Sequence, residues 1–254
     1  MEIIQCKDLT IKFGGLTAVN KVNFSINSGN IFGLIGPNGS GKTTIFNLIS
    51  GIYKPTSGSI TFKNEVINGL KPNFITQKGI ARTFQNIRLF NNMTVFENIM
   101  VGCHCKMHNR FIDDLINSKK KKEEEFQARK KTINLLQLFK LNHYANELAK
   151  NLPYGRQRVL EVVRALASGA ELILLDEPAA GMNPQESNEL MQLIKKIREM
   201  GVTVMLVEHD MKVVMNICEH IVVLNHGEKI AEGTPEEVQN NELVIEAYLG
   251  KQVK

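Results

Sequence analysis

Residues 36–43 read Gly36-Pro37-Asn38-Gly39-Ser40-Gly41-Lys42-Thr43, the spacing G-x-x-x-x-G-K-[ST]. Glycines at these positions let the main chain wrap closely, so that its N–H groups can converge on phosphate oxygens. A helix starting near Lys42 would aim its positive N-terminal end at the same point. Lys42 would then place a charge on the β and γ phosphates, and the Thr43 hydroxyl is a ligand for Mg²⁺. Thr44, next in the chain, belongs with Gly36, Asn38, Gly39, Ser40, Gly41, Lys42 and Thr43 as the expected phosphate-binding set.

A second group can complete that chemistry. Leu172-Ile173-Leu174-Leu175 is an uninterrupted apolar run that ends in Asp176-Glu177-Pro178. Such a run fits a strand buried on both faces of a parallel sheet. Ligands of open parallel sheets sit beyond the carboxyl ends of the strands, where Asp176 and Glu177 would stand. Two adjacent carboxylates are not tolerated there unless they reach solvent, a metal or a partner. Asp176 is expected to hold Mg²⁺ through water. Glu177 is then free to orient and deprotonate an attacking water. His209 after the apolar run 202–207, and Gln85 after 80–84, would emerge on the same edge. Neither has a role from its position alone.

The elements that must position these residues are read from periodicity. Strands are expected over 3–13, 22–26, 31–35, 59–62, 80–84, 172–175 and 202–207, with Gly14-Gly15 and Ser28-Gly29 as breakers. A helix should run from Lys42 towards Gly51, and the pattern is helical from about 94 to 141, over 160–167 and over 186–200. Residues 221–224 and 229–231 flank a hairpin turn at Asn225-His226-Gly227-Glu228. Thr234-Pro235-Glu236-Glu237 combines a cap, a proline suited to the first helical position and a capping box. Strand–helix alternation at both ends, with a helical block between, implies a parallel-sheet α/β domain carrying an inserted helical lobe.

Composition sets the outer bounds. The chain has 254 residues, 43% hydrophobic and 22% charged, with a formal charge of +5. That is ordinary globular composition, and the mild positive excess reads as a solvated surface. No stretch approaches about 18 uncharged apolar residues, so no membrane-spanning helix is expected, and the first residues carry no secretory signal. The four cysteines make no disulfide framework and suit a reducing cytosol. Cys103-His104-Cys105 with His108 has the residue types of a metal site but lacks further ligands at zinc spacing, so it reads as incidental. The run 119–122 of lysines before Glu123, Glu124 and Glu125 reads as a solvated helix face or a loose connection.

Taken in order, residues 36–43, Gln85, the segment Leu152-Pro153-Tyr154-Gly155-Arg156-Gln157, Asp176-Glu177 and His209 resemble the motifs of the ABC ATPase family over essentially the whole chain. The resemblance implies a P-loop NTPase fold: a RecA-like parallel or mixed sheet with N-terminal antiparallel strands (1–86 and 166–254) and an inserted α-helical subdomain (87–165). It implies ATP and Mg²⁺ as ligands, and two subunits arranged head to tail with two ATPs sandwiched between them. By position, Phe13 resembles the aromatic that stacks on adenine, Gln85 the glutamine that touches Mg²⁺ or water, and His209 the histidine on the γ-phosphate. Residues 180–183 stand in place of the D-loop. Residues 152–157 resemble the signature that acts in trans, with Pro153 where the common motif has serine. That change removes a hydroxyl and a backbone N–H.

The segments Ala81-Arg82-Thr83-Phe84-Gln85-Asn86-Ile87-Arg88-Leu89-Phe90, Met93-Thr94-Val95, Glu177-Pro178-Ala179-Ala180-Gly181-Met182-Asn183-Pro184, Glu208-His209-Asp210-Met211 and Glu246-Ala247-Tyr248-Leu249-Gly250 look like the LivG-type ATPases of branched-chain amino-acid importers. That likeness implies two membrane permease subunits, a paralogous ATPase subunit and an extracytoplasmic solute-binding protein as partners, with the chain peripheral on the cytoplasmic face of the membrane. A soluble ABC ATPase acting on nucleic acid or ribosomes is the alternative. It usually carries two cassettes or long coiled-coil insertions, and neither is present. A GTPase would need an Asn-Lys-x-Asp motif after the core strands. The one Asn-Lys, at Asn20, precedes the phosphate loop and lacks the Asp.

Overall fold

The computed structural model describes residues 1–106 and 119–249. Its elements in order are β1 (Glu2–Phe13), β2 (Leu16–Asn27), β3 (Ile31–Ile35), α1 (Lys42–Ile49), β4 (Ser57–Phe62), β5 (Glu65–Val66), α2 (Pro72–Lys78), β6 (Ile80–Arg82), α3 (Val95–Cys103) and α4 (Lys119–Leu138). They continue with α5 (Tyr154–Ala167), β7 (Leu172–Asp176), α6 (Pro184–Glu199), β8 (Thr203–Val207), α7 (Met211–Ile217), β9 (His220–Asn225), β10 (Glu228–Gly233), α8 (Pro235–Gln239) and α9 (Glu242–Leu249).

Two sheets form. One is antiparallel, in the order β2-β1-β4-β5. The other has six strands in the order β10-β9-β3-β8-β7-β6. All its neighbouring pairs are parallel except β10 with β9. Every residue of β3, β7 and β8 is buried, because both faces of this sheet are covered. Along β3 the side chains alternate accordingly. Ile31 and Ile35 enter the core shared with α3, α5, α6 and α7, while Phe32 and Leu34 enter the core shared with α1 and the antiparallel sheet. Gly33 lies between them, and a Cβ there would sit 3.0 Å from Cys218 Sγ.

Helices α3 and α4 pack on each other, and both pack on α5. α4 presents Ala128, Thr132, Leu135 and Leu136 inward at helical spacing. Glu123 and Glu125 at its start are exposed, and the first two lysines of the run have no described side chains.

Several boundaries differ from the sequence reading. The strand expected over 80–84 stops at Arg82, because the carbonyls of Phe84 and Gln85 are taken by a side chain of α5 instead of a strand. β2 begins at Leu16, six residues before the expected start. Its polar stretch pairs with β1 directly after the Gly14-Gly15 turn, and polar side chains are tolerated on an edge strand. α5 starts at Tyr154, six residues earlier than its apolar pattern, with Pro153 in the capping position. α6 starts at Pro184, where Asn183 and Glu186 close a reciprocal capping box. Helices α2, α7 and α9 are seven or eight residues long, too short to show a repeating apolar face, and are not among the expected elements.

The Asn183 side chain accepts from the Glu186 N–H at 2.9 Å, and the Asn183 N–H donates to Glu186 at 3.1 Å. Asn183→Ala should therefore destabilise the protein by about 1 kcal/mol, lowering the thermal midpoint by roughly 3 °C for a domain of this size. An unchanged midpoint in a melting experiment would show that the cap contributes nothing.

Candidate active site

Strand order decides what meets. β3, β8, β7 and β6 are parallel neighbours, so the segments after them emerge on one edge of the sheet. Those segments carry residues 36–43, Glu208-His209, Glu177 and Gln85 respectively.

The loop after β3 is shaped by close main-chain approach. Gly36 has φ +148°, and a Cβ there would lie 2.1 Å from the Leu224 carbonyl oxygen. Gly41 has φ +105°, and a Cβ would lie 2.8 Å from the Ala18 carbonyl oxygen. No L side chain fits at either place without moving backbone. The β9–β10 turn braces the loop: Gly227 N–H donates to Ser40 O at 3.0 Å, and Asn20 N–H donates to Gly227 O at 2.8 Å. His226 and Gly227 both have positive φ, as a two-residue hairpin turn requires. From the C-terminal side, Tyr248 lies near the main chain of Gly36: burial raises the pKa of its hydroxyl, and the Gly36 main chain acts in the opposite direction.

α1 begins at Lys42 with no side-chain cap, which leaves its first N–H groups for an external anion. The Lys42 ammonium is buried and donates to Gly36 O at 2.7 Å and Pro37 O at 2.9 Å. Burial lowers its pKa, and the charges of Glu177 and Asp176 act in the opposite direction. Ser40 Oγ is buried with no hydrogen-bond partner among the described residues. A cleft of about 500 Å³ runs along the loop, lined by residues 38–44 and by Glu177, His226, Phe13, Leu16, Thr17 and Ala18. Phe13 is 43% exposed at one wall of it, its ring edge-on to Tyr53 at 5.2 Å.

Asp176 closes β7 and is buried. Its Oδ2 accepts from Arg82 Nη2 at 2.9 Å. Arg82 also donates to Asn47 Oδ1 at 2.6 Å and Ser50 Oγ at 3.0 Å, and lies over the rings of Phe46 and Phe84. It is thus tied at once to α1 and to the end of β7. Sequence reasoning gave Arg82 no role; its one local signal was a charge at the end of the apolar pair Ile80-Ala81.

Glu177 has φ +46° and donates its N–H to Val207 O at 2.9 Å. Its Oε2 accepts from Gln85 Nε2 at 2.9 Å and lies 3.7 Å from His209 Nδ1. Three of the four segments therefore meet on this carboxylate. Glu208 is buried and accepts from Ala179 N–H at 2.8 Å, which steadies the turn after Glu177. Burial raises its pKa, opposed by that hydrogen bond and by His209.

Residues 152–157 stand apart from this cleft, at the start of α5. Gln157 Nε2 folds back to Leu152 O at 2.9 Å, Arg156 pairs with Glu189 of α6 at 3.2 Å, and the Tyr154 hydroxyl donates to Ala180 O at 3.0 Å. A Cβ at Gly155 would lie 2.8 Å from Glu186 Oε1, so the glycine lets α5 approach α6. Cys103 Sγ lies 3.7 Å from Thr132 Oγ1, Cys105 is exposed, and His108 falls outside the described residues. No cluster of three His, Cys, Asp or Glu side chains able to hold a metal occurs among the described residues.

Arg82→Met would leave the Asp176 carboxylate buried and unpaired. It should destabilise the protein by about 3 kcal/mol in urea unfolding, and adding Asp176→Asn should recover most of the loss. Strictly additive effects would show that the two groups do not interact.

Comparison with known proteins bears on the family and the fold. A family model described as ABC transporter matches residues 19–180, and one described as branched-chain amino acid ATP-binding cassette transporter matches 228–254. The chain is 45% identical over 250 residues, 98% of each chain, to the high-affinity branched-chain amino acid transport ATP-binding protein BraF of Pseudomonas aeruginosa. It is 43% identical, with the same coverage, to the corresponding LivG protein of Escherichia coli. Among solved structures, an ATP-binding cassette of an ABC transporter in its ADP conformation superposes with a TM-score of 0.85 at 32% identity, covering 99% of this chain and 100% of that one. A dimeric cassette in a post-hydrolysis state, bound to ADP and Pi, superposes with a TM-score of 0.75 at 29% identity, covering 92% of this chain and 99% of that one. By sequence along nearly its full length and by fold, the chain belongs to the ABC transporter family as one of its ATP-binding cassettes.

Proposed function

We propose that the chain is the ATP-hydrolysing subunit of an importer of branched-chain amino acids. The observation that carries the chemistry is the meeting of Gln85 and His209 on Glu177, on the same sheet edge as the Lys42 loop. The names of the BraF and LivG relatives, and the match over 228–254, support the transported class. A soluble motor acting on nucleic acid or ribosomes has no such support.

The triphosphate of ATP suits the turn of residues 36–43. Main-chain N–H groups and the start of α1 face its oxygens, and Lys42 exchanges two carbonyl partners for the β and γ phosphates. Phe13 offers an exposed aromatic face for adenine at the wall of the cleft. Thr43, Asp176 and Gln85 form an all-oxygen donor set of the kind Mg²⁺ selects, and Mg²⁺ bound there supplies charge neutralisation to the phosphates. Glu177 accepts the proton of the attacking water, Gln85 holds that carboxylate in place, and His209 stands ready to bond the γ-phosphate. Pro153 leaves the segment 152–157 with Gly155 and the start of α5 as its anion-facing groups, so we assign it the weaker of two composite sites in a heterodimer.

Residues 1–86 and 166–254 form the core and 87–165 the helical subdomain, which moves against the core when two cassettes close on ATP. The partners are two membrane permease subunits, a paralogous ATPase subunit and, through the permease, an extracytoplasmic solute-binding protein. No described helix is long and apolar enough to cross a membrane, which suits a peripheral place on the cytoplasmic face.

Glu177→Gln should bind ATP and elute as a dimer in its presence, with turnover reduced at least about a hundredfold. Wild-type hydrolysis by this variant would remove Glu177 from the chemistry. In cells, the same variant should lose uptake of radiolabelled leucine. Undiminished uptake alongside lost ATPase activity would overturn the import reading and leave the ATPase reading intact.

A further inference from the structure

Arg158, the fifth residue of α5, has no solvent exposure, and its ion-pair partner Glu161 is also buried. Its donors divide between main chain and side chains. Nη1 donates to Phe84 O at 2.8 Å and to Glu161 Oε2 at 3.0 Å; Nη2 donates to Gln85 O at 2.7 Å and to the Tyr154 hydroxyl at 3.3 Å. Glu161 Oε1 accepts from Arg88 N–H at 3.1 Å. The first residues after β6, which have no regular structure of their own, are therefore held to α5 by this guanidinium and its counter-ion, with Arg164 adding a bond to Arg88 O.

These bonds close a circuit around the catalytic carboxylate. Gln85 reaches Glu177 by its side chain and Arg158 by its main chain. Arg158 reaches Tyr154, whose hydroxyl donates to Ala180 O, and Ala180 N–H returns to Glu177 O at 3.2 Å. Tyr154 opens α5 next to Pro153, so one helix presents residues 152–157 at its tip and holds Gln85 one turn later.

Burying a guanidinium and a carboxylate costs several kcal/mol for each ion, and such a pair is a poor source of net stability. A buried hydrogen-bond network instead fixes one geometry, and here both Nη atoms of Arg158 are engaged while its Nε alone has no partner among the described residues. Resting on the ATPase reading above, we infer that Arg158 and Tyr154 are positioning residues that set Gln85 and the turn 177–180 about Glu177. They touch no reacting atom. A shift of the α5 tip is passed directly to the carboxylate that activates water, so hydrolysis depends on where that tip lies.

The test uses Tyr154→Phe, which removes one hydroxyl, and Arg158→Lys, which keeps the charge beside Glu161 but loses the fork. The full chain is assayed for kcat and KM with ATP, for binding of a fluorescent ATP analogue, and for thermal midpoint. Arg158→Lys should lower kcat about tenfold or more while KM and analogue affinity stay within about twofold. Tyr154→Phe should lower kcat by about threefold, and the double variant should be no slower than Arg158→Lys alone, because both act through one circuit. The inference is overturned if kcat is unchanged in both, if kcat falls only in step with the folded fraction, or if the two effects multiply. An inactive native chain would defeat the ATPase reading itself; an active native chain matched by both variants defeats only the positioning role.

Discussion

The exclusion of side chains at Gly36 and Gly41 is the constraint on which the site depends. Carbonyl oxygens of Leu224 and Ala18 occupy the space where a Cβ would stand. The main chain between β3 and α1 can therefore turn with its N–H groups inward and the start of α1 aimed at the same point. β2, the β9–β10 turn and α9 all bear on this one loop. The antiparallel sheet and the C-terminal helix thus have a local purpose: they brace a turn that glycine alone would leave loose.

Two buried cations balance the carboxylates around that turn. Lys42 lies buried within the influence of Asp176 and Glu177, held by carbonyls it can exchange for phosphate. Arg82 balances Asp176 from the β6 side and ties it to α1 through Asn47 and Ser50. Glu177 has no arginine. Its partners are the amide of Gln85 and the ring of His209, which orient a carboxylate without neutralising it. That difference between neighbouring carboxylates suits the separate tasks we propose for them, Asp176 as a fixed ligand and Glu177 as a base.

Much of this was legible because it is local. The loop 36–43, the strand running into Asp176 and the cap at Thr234 each declare themselves within about eight residues, by spacing and chemistry alone. Even the convergence of Gln85 and His209 could be expected once the strands were taken as parallel neighbours. Arg82 and Arg158 could not. Their partners lie 94 and 73 or 74 positions away, and nothing in the spacing of a chain says which buried charge finds which. The same pairing explains the misread strand after Ile80: Phe84 is apolar enough to continue β6, but Arg158 takes its carbonyl and that of Gln85. The early start of α5 escaped notice because its first turn is polar, being built to contact α6 and residue 180 instead of the core.

The most direct test is a crystal structure of the chain grown with a non-hydrolysable ATP analogue and Mg²⁺. The phosphates should lie within the turn of residues 36–43, with the Lys42 ammonium moved from the Gly36 and Pro37 carbonyls onto their oxygens and Asp176 and Glu177 facing them. A nucleotide seated elsewhere, or this turn empty with Lys42 still on its own carbonyls, would contradict the account.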